Sequence, residues 1–271
     1  LLTLNIDLDV INVLLMRNNK KYGVMKKFIE LAIIIAIMTA AMSSCNSMES
    51  KQGDETKTIN RYNICLVLDG TDRLTNENGV PQISSSEVVE LAKMLANKGV
   101  GNLYLSYVDA NCDNNKVAIF DWHKKRPIEL EAKPGYMKMS EYREITKQYQ
   151  KDSLSYSSSL VDAIGTLSRD CERICNIAYS DEVAKQKNGS DVNGAINQAI
   201  RLLRANEQQS DYSYIILVSD GCDNVGKELA FFPQSTQLLL INSNVAKHQY
   251  DDIIEREFVT LGQASNYIFN F

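Results

Sequence analysis

One short stretch constrains the fold of this chain more than any other. Residues 64–68 read Ile-Cys-Leu-Val-Leu, a continuous apolar run that stops at Asp69 and Gly70. A run of this length, rich in branched residues and closed by a turn signal, is typical of a strand buried on both faces of a parallel sheet. We expect the Asp69 carboxylate at the carboxyl end of that strand, the edge where open α/β sheets bind ligands.

The remainder of 59–271 predicts helices that alternate with strands. Ser84 and Glu87 have the spacing of a capping box, and apolar residues at helical spacing follow until Gly99. Another helix is expected after Asp191. Strands are predicted at 102–110, 116–122, Tyr212–Val218, 237–241 and 266–271, and a further helix at 251–263. The alternation predicts an α/β fold with a doubly wound, mostly parallel, Rossmann-like sheet and helices on both faces.

Residues 123–187 interrupt this alternation, and we interpret them as a mostly helical insertion packed against the sheet. Their clearest feature is a stripe of helical period, which is typical of core packing: Leu160, Ile164, Leu167, Cys171, Ile174 and Ala178. Tyrosine is enriched at interfaces. Four tyrosines of the insertion are therefore expected to be exposed and offer an alternative binding surface: Tyr136, Tyr142, Tyr149 and Tyr156.

The amino-terminal part reads as an export signal. Residues 25–45 have a basic start, a short apolar core and small residues before Cys45. The core is shorter than the roughly 20 residues of a membrane-spanning helix. Small residues that lead into a cysteine resemble the lipobox of bacterial lipoproteins, in which that cysteine carries the lipid, although Met42 stands where leucine is usual. An ordinary cleaved signal is the alternative.

The lipobox resemblance implies a lipid-anchored protein of the bacterial cell envelope, facing either the periplasm or the outside. Residues 1–24 precede the signal and are expected not to be translated. Residues 46–58 are polar without an apolar period, so we expect them to tether the domain at 59–271 to the membrane.

Charge and cysteine content narrow the classes of partner. Of 29 basic and 34 acidic residues, five and three lie before Cys45, so the remainder carries a net charge of −7. That charge disfavours nucleic acid and anionic lipid as partners, and it leaves the lipid anchor as the expected membrane contact. The five other cysteines are an odd number, and the chain has only two histidines, so neither a disulfide framework nor a zinc site is indicated.

Three polar clusters, at 69–73, 189–191 and 219–221, fall at predicted strand ends or helix starts. In this order they resemble the von Willebrand factor A domain, whose metal-ion-dependent adhesion site uses Asp-x-Ser-x-Ser after the first strand, Thr before a middle helix and Asp after the fourth strand. The resemblance covers 60–122 and 188–271 and leaves 123–187 outside. It implies that Asp69, Thr71, Ser190 and Asp220 hold Mg²⁺ or Mn²⁺, with a position open for a partner's carboxylate.

Arg73 departs from the family's pattern, because it stands where the second serine is expected. A guanidinium only donates hydrogen bonds, and its charge repels a cation or replaces it. The site is therefore either a working cation site or a degenerate one without metal. Asp72 either pairs with Arg73 or supplies an oxygen itself. Asp72, Arg73 and Asp191 are predicted to contact the partner.

A phosphatase is the alternative function. Segments 68–71 and 219–223 also resemble two motifs of haloacid dehalogenase phosphatases, with Asp69 at the general-acid position. The nucleophile of that template falls on Val67, whose hydrocarbon side chain cannot form an aspartyl-phosphate. The usual hydrolase elbow and dinucleotide loop motifs are missing from the sequence. We therefore expect a membrane-anchored module without enzymatic activity that binds an envelope or extracellular protein.

Overall fold

The computed structural model describes residues 59–71, 80–185, 189–206, 211–233, 235–242 and 250–270. These residues belong to one unit of the chain, Lys57–Phe271. Within them, six strands form one sheet: β1 (Arg61–Asp69), β2 (Val100–Val108), β3 (Ala118–Trp122), β4 (Tyr212–Val218), β5 (Thr236–Ile241) and β6 (Ile254–Phe258).

The strand order of the sheet is β3-β2-β1-β4-β5-β6. Strand β1 lies at the centre and pairs in parallel with both β2 and β4. Strands β5 and β6 extend the parallel sheet, whereas β3 returns antiparallel to β2. This arrangement confirms the predicted α/β class and the mostly parallel, doubly wound sheet. The chain order reverses between β1 and β4, so the topological switch point lies where these two strands end.

The described residues also contain one 3-10 helix (Cys112–Asn114) and five α-helices: α1 (Ser85–Lys98), α2 (Met139–Ala178), α3 (Asp181–Ala184), α4 (Val192–Arg204) and α5 (Leu261–Phe269). Helix α1 begins with the predicted capping box. The Ser84 hydroxyl accepts a hydrogen bond from the Glu87 backbone N–H, and the Glu87 carboxylate accepts one from the Ser84 backbone N–H.

The two faces of the sheet carry different helices. Alternate side chains of β1, including Cys65 and Val67, lie in a buried cluster with the apolar face of α4. The side chains between them, such as Leu66, point to the opposite face and are also fully buried. Helices α1, α2 and α5 pack there, with α1 contacting both of the others. Burial on both faces explains why β1 reads as an unbroken apolar run.

Helix α2 makes up most of the predicted insertion. It contains 40 residues, which corresponds to a length of about 60 Å. Its buried residues all lie from position 156 onward: Tyr156, Leu160, Leu167, Cys171, Ile174, Cys175 and Ala178. The predicted apolar stripe is thus buried except for Ile164, which is partly exposed.

The prediction that the insertion's tyrosines are exposed is wrong for Tyr156. Its side chain is buried, its hydroxyl donates to the Ala96 carbonyl oxygen over 2.7 Å, and its ring lies edge-on to Trp122. Tyr156 is one helical turn before Leu160, so it extends the apolar stripe onto α1 and β3. Tyr136 is 89% exposed, as predicted. Tyr142 and Tyr149 are partly exposed.

The predicted helix at 251–263 and the predicted strand at 266–271 are both wrong. The chain forms β6 at Ile254–Phe258 and then α5 at Leu261–Phe269. The missed signal is Thr260, whose hydroxyl accepts a hydrogen bond from the Gln263 backbone N–H over 3.2 Å. A threonine followed by glutamine at the third helical position is typical of a helix start. Strand β6 lies at the sheet edge with three exposed polar residues, so it lacks an apolar run.

The predicted signal, Cys45 and the tether at 46–58 lie outside the described residues. Among the helices that the structure does describe, none combines the length and the apolar character needed to cross a bilayer.

Candidate functional site at the switch point

The candidate site lies where β1 and β4 end, next to the start of α4. Asp69 is the last residue of β1, Ser219 follows β4, and Ser190 precedes the N-cap residue of α4. Parallel strands end at the same edge of a sheet, so the fold itself brings these three loops together.

Hydrogen bonds join the side chains of this edge into one cluster. The Asp69 Oδ1 atom accepts from the Thr71 backbone N–H at 3.0 Å and from the Thr71 hydroxyl at 2.6 Å. The Asp69 Oδ2 atom accepts from the Ser219 hydroxyl at 2.6 Å. The Thr71 hydroxyl also contacts the Ser190 hydroxyl. The first three predicted ligands, Asp69, Thr71 and Ser190, are therefore in direct contact. We name these three residues with Ser219 and Asp220 the switch-point cluster.

Burial controls the chemistry of Asp69. The residue is 6% exposed, and this burial raises the pKa of its carboxyl group to about 6, although the hydrogen bonds from Ser219 and Thr71 act against the rise. The nearby charge of Asp220 raises the pKa further. A buried carboxyl group with a raised pKa at a strand end is typical of a functional site.

Asp220, the fourth predicted ligand, lies at the rim of the cluster. Its side chain is partly exposed, and its Oδ1 atom accepts a hydrogen bond from the Cys222 backbone N–H at 2.9 Å. Gly221 has a φ of 75°, which residues with a side chain rarely adopt. Its N–H donates to the Ser219 hydroxyl oxygen at 2.9 Å. The turn after β4 thereby orients Ser219 toward Asp69.

Gly70 lets the end of α2 approach the site. A Cβ atom at this position would lie 1.9 Å from the carbonyl oxygen of Ala178, the last residue of α2. Only glycine fits there without moving the backbone. The insertion that lies outside the family resemblance thus packs directly beneath the loop that carries Asp69 and Thr71.

Of the residues predicted to contact a partner, Asp191 lies inside the protein. Asp191 is fully buried as the N-cap of α4. Its Oδ1 atom accepts from the Gly194 N–H, and its Oδ2 atom accepts from the Cys112 N–H and the Lys227 ammonium group. All these contacts are internal, so Asp191 presents no carboxylate surface to a partner in this conformation. Residues 72 and 73 lie outside the described residues.

Two residues that matter at this edge are not among the predicted site residues. Ser219 directly follows β4 and belongs to the polar cluster 219–221. Its position at the end of a predicted strand is the sequence feature that could have identified it as a site residue. Lys227 lies in a stretch without periodic pattern, and nothing in the sequence pairs it with Asp191. Its pKa is raised because its ammonium group donates to the carboxylates of Asp191 and Asp113.

The switch-point cluster offers only oxygen atoms: two carboxylates and three hydroxyl groups. Oxygen atoms are the ligands that hard divalent cations such as Mg²⁺ prefer. Across the described residues, no group of three or more His, Cys, Asp or Glu side chains is arranged to hold a metal ion. Any cation bound here would therefore need ligands from the hydroxyl groups of Thr71 and Ser190 as well as from the carboxylates.

Val67, at the nucleophile position of the phosphatase template, is fully buried among the residues that pack against α4. Its side chain lies inside the sheet core, two residues before the switch-point cluster, so both its chemistry and its location are unsuited to covalent catalysis.

Comparison of the sequence with protein-family models finds no family that matches, and comparison with curated proteins finds no significant match. The functional interpretation accordingly depends on the geometry of the switch-point cluster.

Proposed function

We propose that this chain is a protein-binding module of the von Willebrand factor A type. In this proposal it is lipid-anchored through Cys45 in a bacterial cell envelope, and it recognises an envelope or extracellular protein at the carboxyl edge of its sheet. The observation that carries the proposal is the convergence of Asp69, Thr71, Ser190 and Ser219 from three separate loops at the topological switch point. Ligand sites of open α/β sheets lie at this point.

The partner's chemistry follows from the chemistry of the edge. Asp69, Thr71, Ser190 and Asp220 would hold Mg²⁺ or Mn²⁺, and the bound cation would supply a positive charge that attracts a carboxylate of the partner. If the guanidinium of Arg73 replaces the cation, it supplies the same sign of charge through a bidentate hydrogen bond. Both versions favour an acidic side chain of the partner as the group that is recognised.

The residues of the cluster favour binding over catalysis. The cluster contains hydroxyl and carboxylate groups but no histidine. His123, the one histidine in the described residues, instead pairs with Asp121, and its Nε2 atom lies 2.7 Å from the Asp121 carboxylate. A serine or threonine nucleophile needs an adjacent general base. Asp69 accepts hydrogen bonds from the Thr71 and Ser219 hydroxyl groups, and these bonds join the loop after β1 to the loop after β4.

Site-directed photo-cross-linking tests the proposal. A photo-reactive amino acid replaces the exposed Cys222 beside the cluster, and in a matched protein it replaces Tyr136, which is 89% exposed in the insertion. After irradiation in envelope extract, we expect a cross-linked partner from position 222, lost when Asp69→Ala or Asp220→Ala is added. Cross-links from position 136 that survive both substitutions, with none from position 222, would contradict the proposal and place binding on the insertion.

A further inference from the structure

Between β4 and β5, residues 222–233 run along α4 without forming a helix. We name these residues the strap. Its backbone is held by three side chains on one side of α4. Asn193 donates to the Lys227 carbonyl oxygen at 2.6 Å, Asn197 to that of Glu228 at 2.8 Å, and Arg204 to that of Phe231 at 2.9 Å. The strap therefore runs along α4 in the same direction as the helix.

Two further contacts join the strap to Ser190 of the switch-point cluster and to the next residue, Asp191. The Asn224 backbone N–H donates to the Ser190 carbonyl oxygen at 3.0 Å. The Lys227 ammonium group donates to the Asp191 carboxylate at 2.7 Å. Ser190 and Asp191 are consecutive residues, so both contacts act on the short segment that carries the Ser190 hydroxyl group.

Lys227 occupies a pocket of oxygen atoms built from two loops. Besides Asp191, its ammonium group donates to the Asp113 carboxylate at 2.9 Å and to the Asn111 side-chain oxygen at 3.3 Å. Asn111 and Asp113 lie in the loop after β2, whose Asp109 carbonyl oxygen accepts from the Asp191 N–H at 2.9 Å. One ammonium group thus joins the strap, the β2–β3 loop and the start of α4.

The charge of Asp191 makes this contact strong. Its side chain is 0% exposed, whereas that of Lys227 is 31% exposed. Within the described residues, Lys227 is the cation that forms an ion pair with Asp191. Removal of one partner of a buried ion pair leaves an uncompensated charge, which is strongly destabilising. The Asp191 segment is therefore expected to move or rearrange when the ammonium group is absent.

We propose that Lys227 is a positioning residue for the switch-point cluster. Acting through Asp191, it holds Ser190 at the place where its hydroxyl group meets that of Thr71, and so couples the strap to the affinity of the site. The effect of Lys227 on cation affinity rests on the proposed function. Its effect on the position of residues 189–195 does not.

Lys227→Met is the test, with Lys227→Arg as the conservative variant. Arg201→Met is the matched control, because Arg201 also pairs with Asp113, at 3.5 Å, but not with Asp191. Two quantities are measured on the full chain: hydrogen exchange of residues 189–195, and the affinity for Mg²⁺ and Mn²⁺. We expect Lys227→Met to raise exchange in this segment and weaken cation binding, each by about tenfold, as for loss of a charge-assisted hydrogen bond. Lys227→Arg and Arg201→Met should stay close to the unsubstituted protein.

A double-substitution cycle keeps the test decisive if Lys227→Met fails to fold. Asp191→Asn combined with Lys227→Met removes both charges, so no buried carboxylate is left without its partner. This protein should fold and still show faster exchange at 189–195. Unchanged exchange there in the folded variants would overturn the proposal. If the unsubstituted chain binds no cation, the proposed cation site fails, and the exchange data alone decide the role of Lys227. Cation binding that Lys227→Met leaves unchanged would overturn the coupling.

Discussion

At the end of β1, Asp69 accepts hydrogen bonds from Thr71 and Ser219 while it is almost fully buried. Its carboxyl group therefore joins two loops and is shielded from water at the same time. The consequence is a raised pKa of about 6, against the usual 3.8 for aspartate.

The raised pKa of Asp69 predicts a pH dependence of the free energy of unfolding. The folded protein binds this proton more tightly than the unfolded chain does, so the contribution of Asp69 to stability is fully present below pH 4. It is lost as the pH rises through about 6. The pKa difference corresponds to about 3 kcal/mol. Urea unfolding without metal, at a series of pH values from 4 to 7, should show this loss in the unsubstituted protein and not in Asp69→Asn. Parallel pH profiles for the two proteins would contradict the assigned pKa.

The positions of the predicted ligands can be predicted from the sequence, because each ligand follows a buried strand or precedes a helix. Asp69 and Asp220 are placed by the apolar runs before them, and Ser190 by the helix that follows. The contacts between these ligands could not be predicted from the sequence. They depend on loop positions set by distant residues, such as the approach of Ala178 to Gly70 and the ion pair between Lys227 and Asp191.

At the scale of elements, helix α2 is anchored at one end only. Its first part, residues 139–155, contains no buried residue, whereas all its buried residues lie from Tyr156 onward, where the Tyr156 side chain contacts α1 and β3. Substitutions along this single helix should therefore differ sharply in their effect on stability.

Leu167→Ala and Leu154→Ala provide a matched pair on α2. Leu167 is 1% exposed and Leu154 is 66% exposed. Loss of the buried side chain leaves a cavity, so Leu167→Ala should lower the free energy of unfolding by about 2–5 kcal/mol. Leu154→Ala should change it by less than about 0.5 kcal/mol, as for an exposed position. Urea unfolding of both proteins measures the difference, and equal effects would contradict the one-sided anchoring of α2.

Elements with strong local signals were predicted well. Strand β4 was predicted with its observed bounds, and the capping box located the start of α1. The prediction is wrong for the carboxyl-terminal elements, because edge strand β6 has three consecutive exposed, charged residues in place of the apolar run or alternation that marks a strand. Thr260 marks a helix start, but the short apolar run 267–269 that follows suits a strand as well as a buried helix.

At the scale of the whole molecule, the proposed lipid anchor at Cys45 would determine where the domain meets its proposed partner. Cys45 and the tether lie outside the described residues, so the prediction stands on the sequence alone. Cys45→Ala should release the protein from the membrane fraction of a bacterial host, because a lipid-modified cysteine is the only expected membrane contact. Cys222 is an exposed cysteine of the domain, so Cys222→Ala is the control, and this variant should stay membrane-bound. Retention of both variants in the membrane would refute lipidation at Cys45.

We propose that the switch-point cluster binds a divalent cation through which the module recognises its partner. Calorimetric titration of Mg²⁺ and Mn²⁺ into the full chain tests this proposal, with Asp69→Ala as the site variant and Leu154→Ala as the control. We expect saturable binding in the unsubstituted protein and in Leu154→Ala, abolished in Asp69→Ala. No saturable binding in the unsubstituted protein, or binding that survives in Asp69→Ala, would contradict the proposal.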